Sequence, residues 1–382
     1  MPPRLERAAS CVRWAAGSLV LAATALLQTC VTDADAQTLM PPPSPREQRE
    51  QADREQIERT HREEGDAILA LADAAMGGKA VPADFVLSWH NDFVKAQRGT
   101  FVPFTLAVDA SSFSKPSALV YVRAIRRNDA ETGRRPGRAV DERASSSYPV
   151  DAIFPVELTV VPGAAARISR GFAVEPGQYD VVVVMRERVT PGAPRVPVRA
   201  AVLKQQLAVP DFPPGELATS SIIVADRMTT LAEMVPADQL AERPYAIGRT
   251  EITPSLDRRF RRSGELIVVL LVYNPMVTSE RQFDLKVEYH FFRQSGAGNR
   301  AGVTEPEQAR TGEQYFNRTD PQRFNPALMG HAFDPRTGEP VMAGQVVPLA
   351  GFEEGEYRLD VQVLDLLSGK SISRDVFFTV GS

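Results

Sequence analysis

Gly351-Phe-Glu-Glu-Gly-Glu-Tyr-Arg-Leu-Asp-Val-Gln-Val363 decides the fold, because the chain has used the same phrase before, as Gly171-Phe-Ala-Val-Glu-Pro-Gly-Gln-Tyr-Asp-Val-Val-Val-Val184. Each copy sets a Gly-x-Tyr (Gly177 and Tyr179, then Gly355 and Tyr357) directly ahead of a β-branched run with strand alternation. Upstream, Gly99-Thr-Phe-Val-Pro-Phe-Thr-Leu-Ala-Val-Asp109 corresponds to Gly264-Glu-Leu-Ile-Val-Val-Leu-Leu-Val-Tyr-Asn274. The steps between copies are 178 residues (177 to 355) and 165 (99 to 264), so the second copy carries extra loop between the two markers. A duplicated unit is expected.

Working outward, short apolar runs at 100–108, 118–125, 153–160, 179–185 and 198–209 are separated by Pro, Gly, Asp and Ser clusters. A second series follows at 217–224, 266–273, 283–292, 345–349, 357–364 and 371–380. No long helical pattern separates them, so the strands are expected to pair antiparallel. The fold class is all-β: two tandem β-sandwich domains at 81–212 and 213–382, the second with a long loop at 294–340. Trp89, in Phe85-Val-Leu-Ser-Trp89, has strand alternation and reads as core.

The Gly-x-Tyr phrase resembles the tyrosine corner of immunoglobulin-like and fibronectin type III-like domains. There the glycine permits a tight crossing and the phenol bonds back to upstream backbone. The resemblance implies structural roles for Gly177, Tyr179, Gly355 and Tyr357; the absence of a Cys-Trp-Cys spacing separates the chain from the antibody type. The stretch Pro348 to Val380 is similar to the C-terminal sandwich of secreted bacterial proteins of acidobacterial type, over about the last 120 residues. That likeness implies a fold and carries no activity.

Length and composition suit a globular chain: 382 residues, 43% hydrophobic and 24% charged. Forty-four Lys and Arg against 48 Asp and Glu leave a net charge of -4, without the positive field that nucleic-acid binding needs. The first 36 residues read as a signal peptide. Arg4, Arg7 and Arg13 precede the uncharged run Ala15 to Leu27, and Ala34-Asp-Ala36 offers a cleavage site before Gln37. The run is too short to span a bilayer, so a secreted or periplasmic protein without a transmembrane segment is expected. A lipid anchor on Cys30 is the competing reading, disfavoured by Gln28 and Thr29 where small residues belong. Cys11 and Cys30 both precede the cut, leaving no thiol in the mature chain. Residues 37–80 read as a Pro-rich, charged linker and, first of all, a solvated tether; the alternative is that Ile68, Leu69, Leu71, Ala72 and Ala75, at near-helical spacing, seat one helix on the first domain.

Catalytic signatures are missing. His61, His90, His290 and His331 form no local pair, no nucleophile elbow occurs, and Gly369-Lys-Ser371 lacks the earlier glycine of a phosphate loop. No catalytic residue, metal ligand or cofactor is therefore expected, and the chain reads as a non-enzyme. Three stretches could carry binding. The Arg-rich excursion 126–147 reads as a solvated loop, and Asp257-Arg-Arg-Phe-Arg-Arg262 as gatekeeping charge ahead of an apolar strand. Within 294–340, Tyr315, Phe316, Arg323, Phe324, His331 and Phe333 make either a recognition surface or a lid packed on its own sandwich. The leading expectation is a protein-interaction or structural adaptor, with a protein or envelope component as partner. The alternatives are a carbohydrate-binding module, which needs coplanar exposed aromatics, and a hydrolase, which needs carboxylates converging between the domains.

Overall fold

The computed structural model describes residues 44–113, 116–127, 148–159, 165–189, 197–294, 309–330 and 333–382. The expected signal peptide, its cleavage site, Cys30, His331 and most of the 126–147 loop lie outside the described residues. The chain is all-β, with one long helix, α1 (Pro45–Met76).

Helix α1 starts on a capping box: the Glu47 backbone N–H donates to Ser44 Oγ at 3.3 Å while Glu47 Oε2 accepts from the Ser44 N–H at 2.6 Å. Residues 44–52 belong to a unit of their own, and Asp53–Ser382 forms the other, which holds every strand. Along the helix from Asp53, most side chains are exposed until Glu64, after which Ile68, Ala72 and Ala75 are fully buried. They pack with Leu71 and Met76 on Leu119, Tyr121, Val182 and Val184. The docked helix thus uses four of the five expected positions; Leu69 faces water. Where a tether was the blander expectation, three small or branched apolar residues at helical spacing are enough to seat the last three turns.

The first sandwich contains β1 (Leu87–Asn91), β2 (Val94–Lys95), β3 (Thr100–Val108), β4 (Ser117–Arg126), β5 (Val150–Glu157), β6 (Ala166–Val174), β7 (Gly177–Glu187) and β8 (Ala200–Val209). One sheet joins β1, β2 and β6 to β3; the facing sheet runs β5-β4-β7-β8. Their inward residues, among them Val102, Phe104, Leu106, Val120, Val122, Val181 and Val183, make a single core. Trp89 packs at its rim, stacked on Phe104 at 4.2 Å, with its indole N–H donated to Asn91 at 2.8 Å.

The second sandwich contains β9 (Ala218–Thr219), β10 (Ile223–Thr230), β11 (Ala246–Ile247), β12 (Thr250–Pro254), β13 (Arg259–Arg261), β14 (Glu265–Tyr273), β15 (Leu285–Gln294), β16 (Glu313–Arg318), β17 (Gln322–Phe324), β18 (Val341–Pro348), β19 (Gly355–Asp365) and β20 (Ser371–Gly381). One sheet runs β11-β12-β10-β14-β18, with β9 on β14; the other runs β13-β20-β19-β15-β16, with β17 on β15. The duplication is visible in the pairing. β1-β3-β6 recurs as β10-β14-β18, and β4-β7-β8 as β15-β19-β20, each of these pairs antiparallel, whereas short β13 departs from the antiparallel expectation and joins β20 in parallel.

Some strands escape the sequence pattern. β6 reads Ala-Arg-Ile-Ser-Arg-Gly-Phe-Ala-Val, and its arginines hide the alternation; Arg167, though exposed, reaches across to Asp226 of the second sandwich. β16 and β17 lie inside the long 294–340 stretch, which therefore is not one loop: in its described part it holds two strands and a helical turn at Pro326–Met329.

Candidate functional site

The sandwiches meet on the outer face of β9 and β14, where Phe212, Ala218, Leu271 and Tyr273 pack against Phe93, Val94 and Ile247. Polar bonds reinforce this apolar contact. Phe93 N–H donates to Ser221 Oγ (2.9 Å) and Ser221 N–H returns to the Phe93 carbonyl (3.0 Å). Lys95 N–H donates to the Tyr273 hydroxyl at 3.2 Å, Gly171 N–H to the Ala241 carbonyl at 2.9 Å, and Arg167 pairs with Asp226 at 2.8 Å. Tyr245 buries its phenol and donates it to Asp92 Oδ2 at 3.1 Å; burial, then the Asp92 charge, hold that phenol well above its ordinary pKa. Gly171 is required by close approach, since a Cβ there would stand 2.3 Å from the Phe101 ring and 3.0 Å from Pro244.

At this junction lies a cleft of about 370 Å³ with walls from both sandwiches: Asp92 and Phe93 on one side, Thr219, Ser221, Arg258 and Arg374 on the other. Its carboxylates are already committed. Asp92, with a side chain 3% exposed, faces Tyr245 and His90, whose Nε2 is 3.4 Å away. Asp375 takes a two-pronged bond from Arg310 (3.1 and 3.2 Å). Each of these two carboxylates thus faces partners of its own.

A second, wider hollow of about 720 Å³ is bordered by Lys95, Asn274, Met276, Arg336, Asp365 and Lys370. Lys95 Nζ donates to Asn274 at 2.9 Å, and Arg336 is clamped by Asp334. Asp365 is wholly buried, accepting from the N–H groups of Met276, Leu367 and Ser368.

The aromatic residues expected from the 294–340 stretch turn inward. Phe316, Phe324 and Phe333 pack on the second core; Phe316 lies 4.7 Å from Phe352 and Phe333 5.7 Å from Phe283 between ring centroids. Tyr315 meets Phe292 edge-on at 5.8 Å, and exposed Arg323 forks onto Asp284. This is the packed-lid arrangement, with the rings half-buried against their own sandwich. The stretch reaches a cleft through Arg336, in the turn at Pro335–Thr337, and not through its rings.

Both Gly-x-Tyr phrases build the same corner. Tyr179 donates to the Glu175 carbonyl and Tyr357 to the Glu353 carbonyl, each at 2.8 Å. Gly177 and Gly355 adopt φ of 152° and 153°. An arginine from the neighbouring strand completes each corner: Arg126, opposite Tyr179, bonds the Pro176 carbonyl at 2.7 Å, and Arg293, opposite Tyr357, bonds the Glu354 carbonyl at 2.9 Å.

The outer face of β15 and β19 carries buried charge. Arg358 and Glu313 form a pair 2% and 3% exposed at 2.7 Å, with the guanidinium 4.3 Å from the Phe292 ring. His290 beside them is buried, among the described residues neither ring nitrogen has a hydrogen-bond partner, and burial lowers its pKa. Among the described residues, no group of three or more His, Cys, Asp or Glu is placed to hold a metal ion, and no helix is long and apolar enough to cross a membrane.

No family model and no curated protein matches the chain. Among solved structures it is similar to Escherichia coli alpha-2-macroglobulin activated by porcine elastase, at 13% identity over 80% of this chain and 24% of that one, TM-score 0.20. Salmonella alpha-2-macroglobulin reacted with methylamine matches at 15% identity over 79% of this chain and 17% of that one, TM-score 0.18. The chain thus spans about a quarter or less of these proteins' length, and at such TM-scores the likeness assigns neither fold nor activity.

Proposed function

We propose that this is a non-enzymatic, exported adaptor whose two immunoglobulin-like sandwiches act as one rigid body and engage a protein partner of the envelope or extracellular space at the junction cleft. The observation that carries the reading is the cleft's construction: its walls come from both sandwiches, and the sandwiches are tied together beneath it by the Phe93–Ser221 bond pair, the Tyr245–Asp92 bond and the Phe212–Tyr273 contact. A surface assembled that way is presented in one fixed shape, which lowers the ordering cost of binding. The carboxylates in the cleft are spent on Tyr245, His90 and Arg310, which supports binding over bond cleavage.

The test is photo-crosslinking in an envelope and secreted-fraction extract from benzoylphenylalanine placed at Ala208, an exposed residue on the cleft wall, or at Arg227, exposed and outside that wall. The expected result is one discrete adduct from position 208 and none from 227. Equal adducts from both positions, or none from either, would refute the proposal.

A further inference from the structure

The proposed partner surface has a chemistry that its unused hydrogen-bonding groups define. Arg258 is half-buried, and among the described residues its guanidinium makes no hydrogen bond, ion pair or ring contact. It lines the cleft together with Asp92 and Phe93, and its charge bears on buried Tyr245. Arg374 spends only Nε, on Thr219 Oγ1 at 3.1 Å, leaving its two terminal nitrogens. Thr219 Oγ1 and Ser221 Oγ both accept, from Arg374 and from the Phe93 N–H, so each hydroxyl proton still lacks an acceptor among the described residues. The cleft therefore presents two guanidinium groups and two hydroxyls as donors, while Asp375 is held by Arg310 and Asp92 by Tyr245 and His90. A surplus of donors around a half-buried cation calls for a ligand that only accepts and carries negative charge.

The backbone gives a second, independent sign. Arg258 takes φ 53°, left-handed for a non-glycine residue, between the Asp257 carboxylate that accepts the Arg259 N–H and its own carbonyl, which accepts from Thr379. Strain of this kind is found where a side chain's direction matters. The other three arginines of the same run point elsewhere: Arg259 and Arg261 are exposed, and Arg262 bonds the Ala350 carbonyl. Apolar wall from Phe93, Ala208, Pro210 and Ile222 accompanies the donors, and about 370 Å³ exceeds the room that an oxyanion alone requires.

We infer that the junction cleft is a carboxylate-binding site, in which Arg258 and Arg374 fork onto the carboxylate of a peptide whose adjoining apolar residue fills the space against Phe93 and Pro210. The site rests on the reading of the cleft as the partner surface, and it fails separately from that reading. A partner that still crosslinks at position 208 while no carboxylate binds sinks only this inference.

The experiment titrates the ¹⁵N-labelled chain with an N-acetylated tetrapeptide ending in leucine, as the free acid and as the C-terminal amide, and with inorganic phosphate, while the Arg side-chain Nε–Hε signals are followed. The free acid is expected to shift the Arg258 and Arg374 signals saturably, with the amide and phosphate leaving them in place. Arg258→Gln and Arg374→Gln should each weaken binding by at least about tenfold, Ser221→Ala by a few-fold, and Arg258→Lys less than Arg258→Gln. Thermal unfolding of each variant verifies that the fold is kept. The inference is overturned by an equal response to acid and amide, by phosphate binding in preference to the free acid, by no saturable response, or by unchanged affinity in the folded Arg258→Gln protein.

Discussion

Arg126 and Arg293 show what one residue can contribute that its neighbours in sequence do not announce. Gly177, Tyr179, Gly355 and Tyr357 were legible because a corner's glycine and phenol sit two positions apart on one strand. The arginines that complete the corners come from the laterally paired strands β4 and β15, 50 and 61 residues away from the carbonyls they bond, so no local pattern exposes them. Removing one phenol hydroxyl by Tyr357→Phe should cost about 1 kcal/mol of unfolding free energy in a denaturant titration. Gly355→Ala should cost at least as much, since it forces φ 153° on a residue with a Cβ and brings that carbon 3.3 Å from Arg293 Nε. Arg258 predicts the opposite sign. Arg258→Gly relieves a left-handed non-glycine and should leave stability unchanged or raise it by up to about 1 kcal/mol, while carboxylate binding is lost.

Among the elements, α1 and the β15/β19 face divide what the sequence discloses from what it hides. Ile68, Leu71, Ala72 and Ala75 marked the docking stripe, but Glu64 reads as one more charge in a charged helix. It is 2% exposed, accepts the Val189 N–H at 2.5 Å and faces Arg188 at 3.5 Å. Burial of that carboxylate depends on where strand β7 ends, a tertiary fact with no periodic signature. Truncating Ile68→Ala should cost about 2–4 kcal/mol and speed hydrogen exchange over 64–76 without reaching β14 or β19. His290 makes a pH prediction. Burial lowers its native pKa; Glu288 and Asp360 favour the charged ring, Arg318 and Lys286 oppose it. The unfolded chain then binds the proton first. The contribution to stability is complete above about pH 6.5 and is lost as pH falls toward the lowered native value. Unfolding curves between pH 7 and 5 should slope downward for the native sequence and flatten in His290→Leu. An unchanged slope in the variant would remove His290 from that role. The 294–340 stretch had two readings because aromatic side chains serve cores and interfaces equally; only the pairing of β16 and β17 with β15 turns Phe316 and Phe324 inward.

At the scale of the molecule, duplication was written twice into the chain, whereas the junction was written nowhere in it. Gly171 served as a repeat marker, yet its partner Gly351 has open space around it while Gly171 is pressed between Phe101 and Pro244. The two glycines share a place in the phrase and not a function. Contacts between sandwiches join residues 59 positions apart in Arg167 with Asp226 and as many as 153 in Asp92 with Tyr245, beyond the reach of any periodicity. Gly171→Val should therefore wedge the junction and lower stability by about 1–3 kcal/mol, read as a fall in melting temperature by calorimetry. The proposed adaptor depends on the sandwiches keeping one arrangement, and electron–electron spin distance measurement addresses this most directly. With Cys11 and Cys30 replaced by serine, labels at exposed Lys204 and Glu356 sit one on each sandwich. A single narrow distance distribution is predicted, broadening in Gly171→Val; a broad or two-peaked distribution in the otherwise native chain would contradict the account.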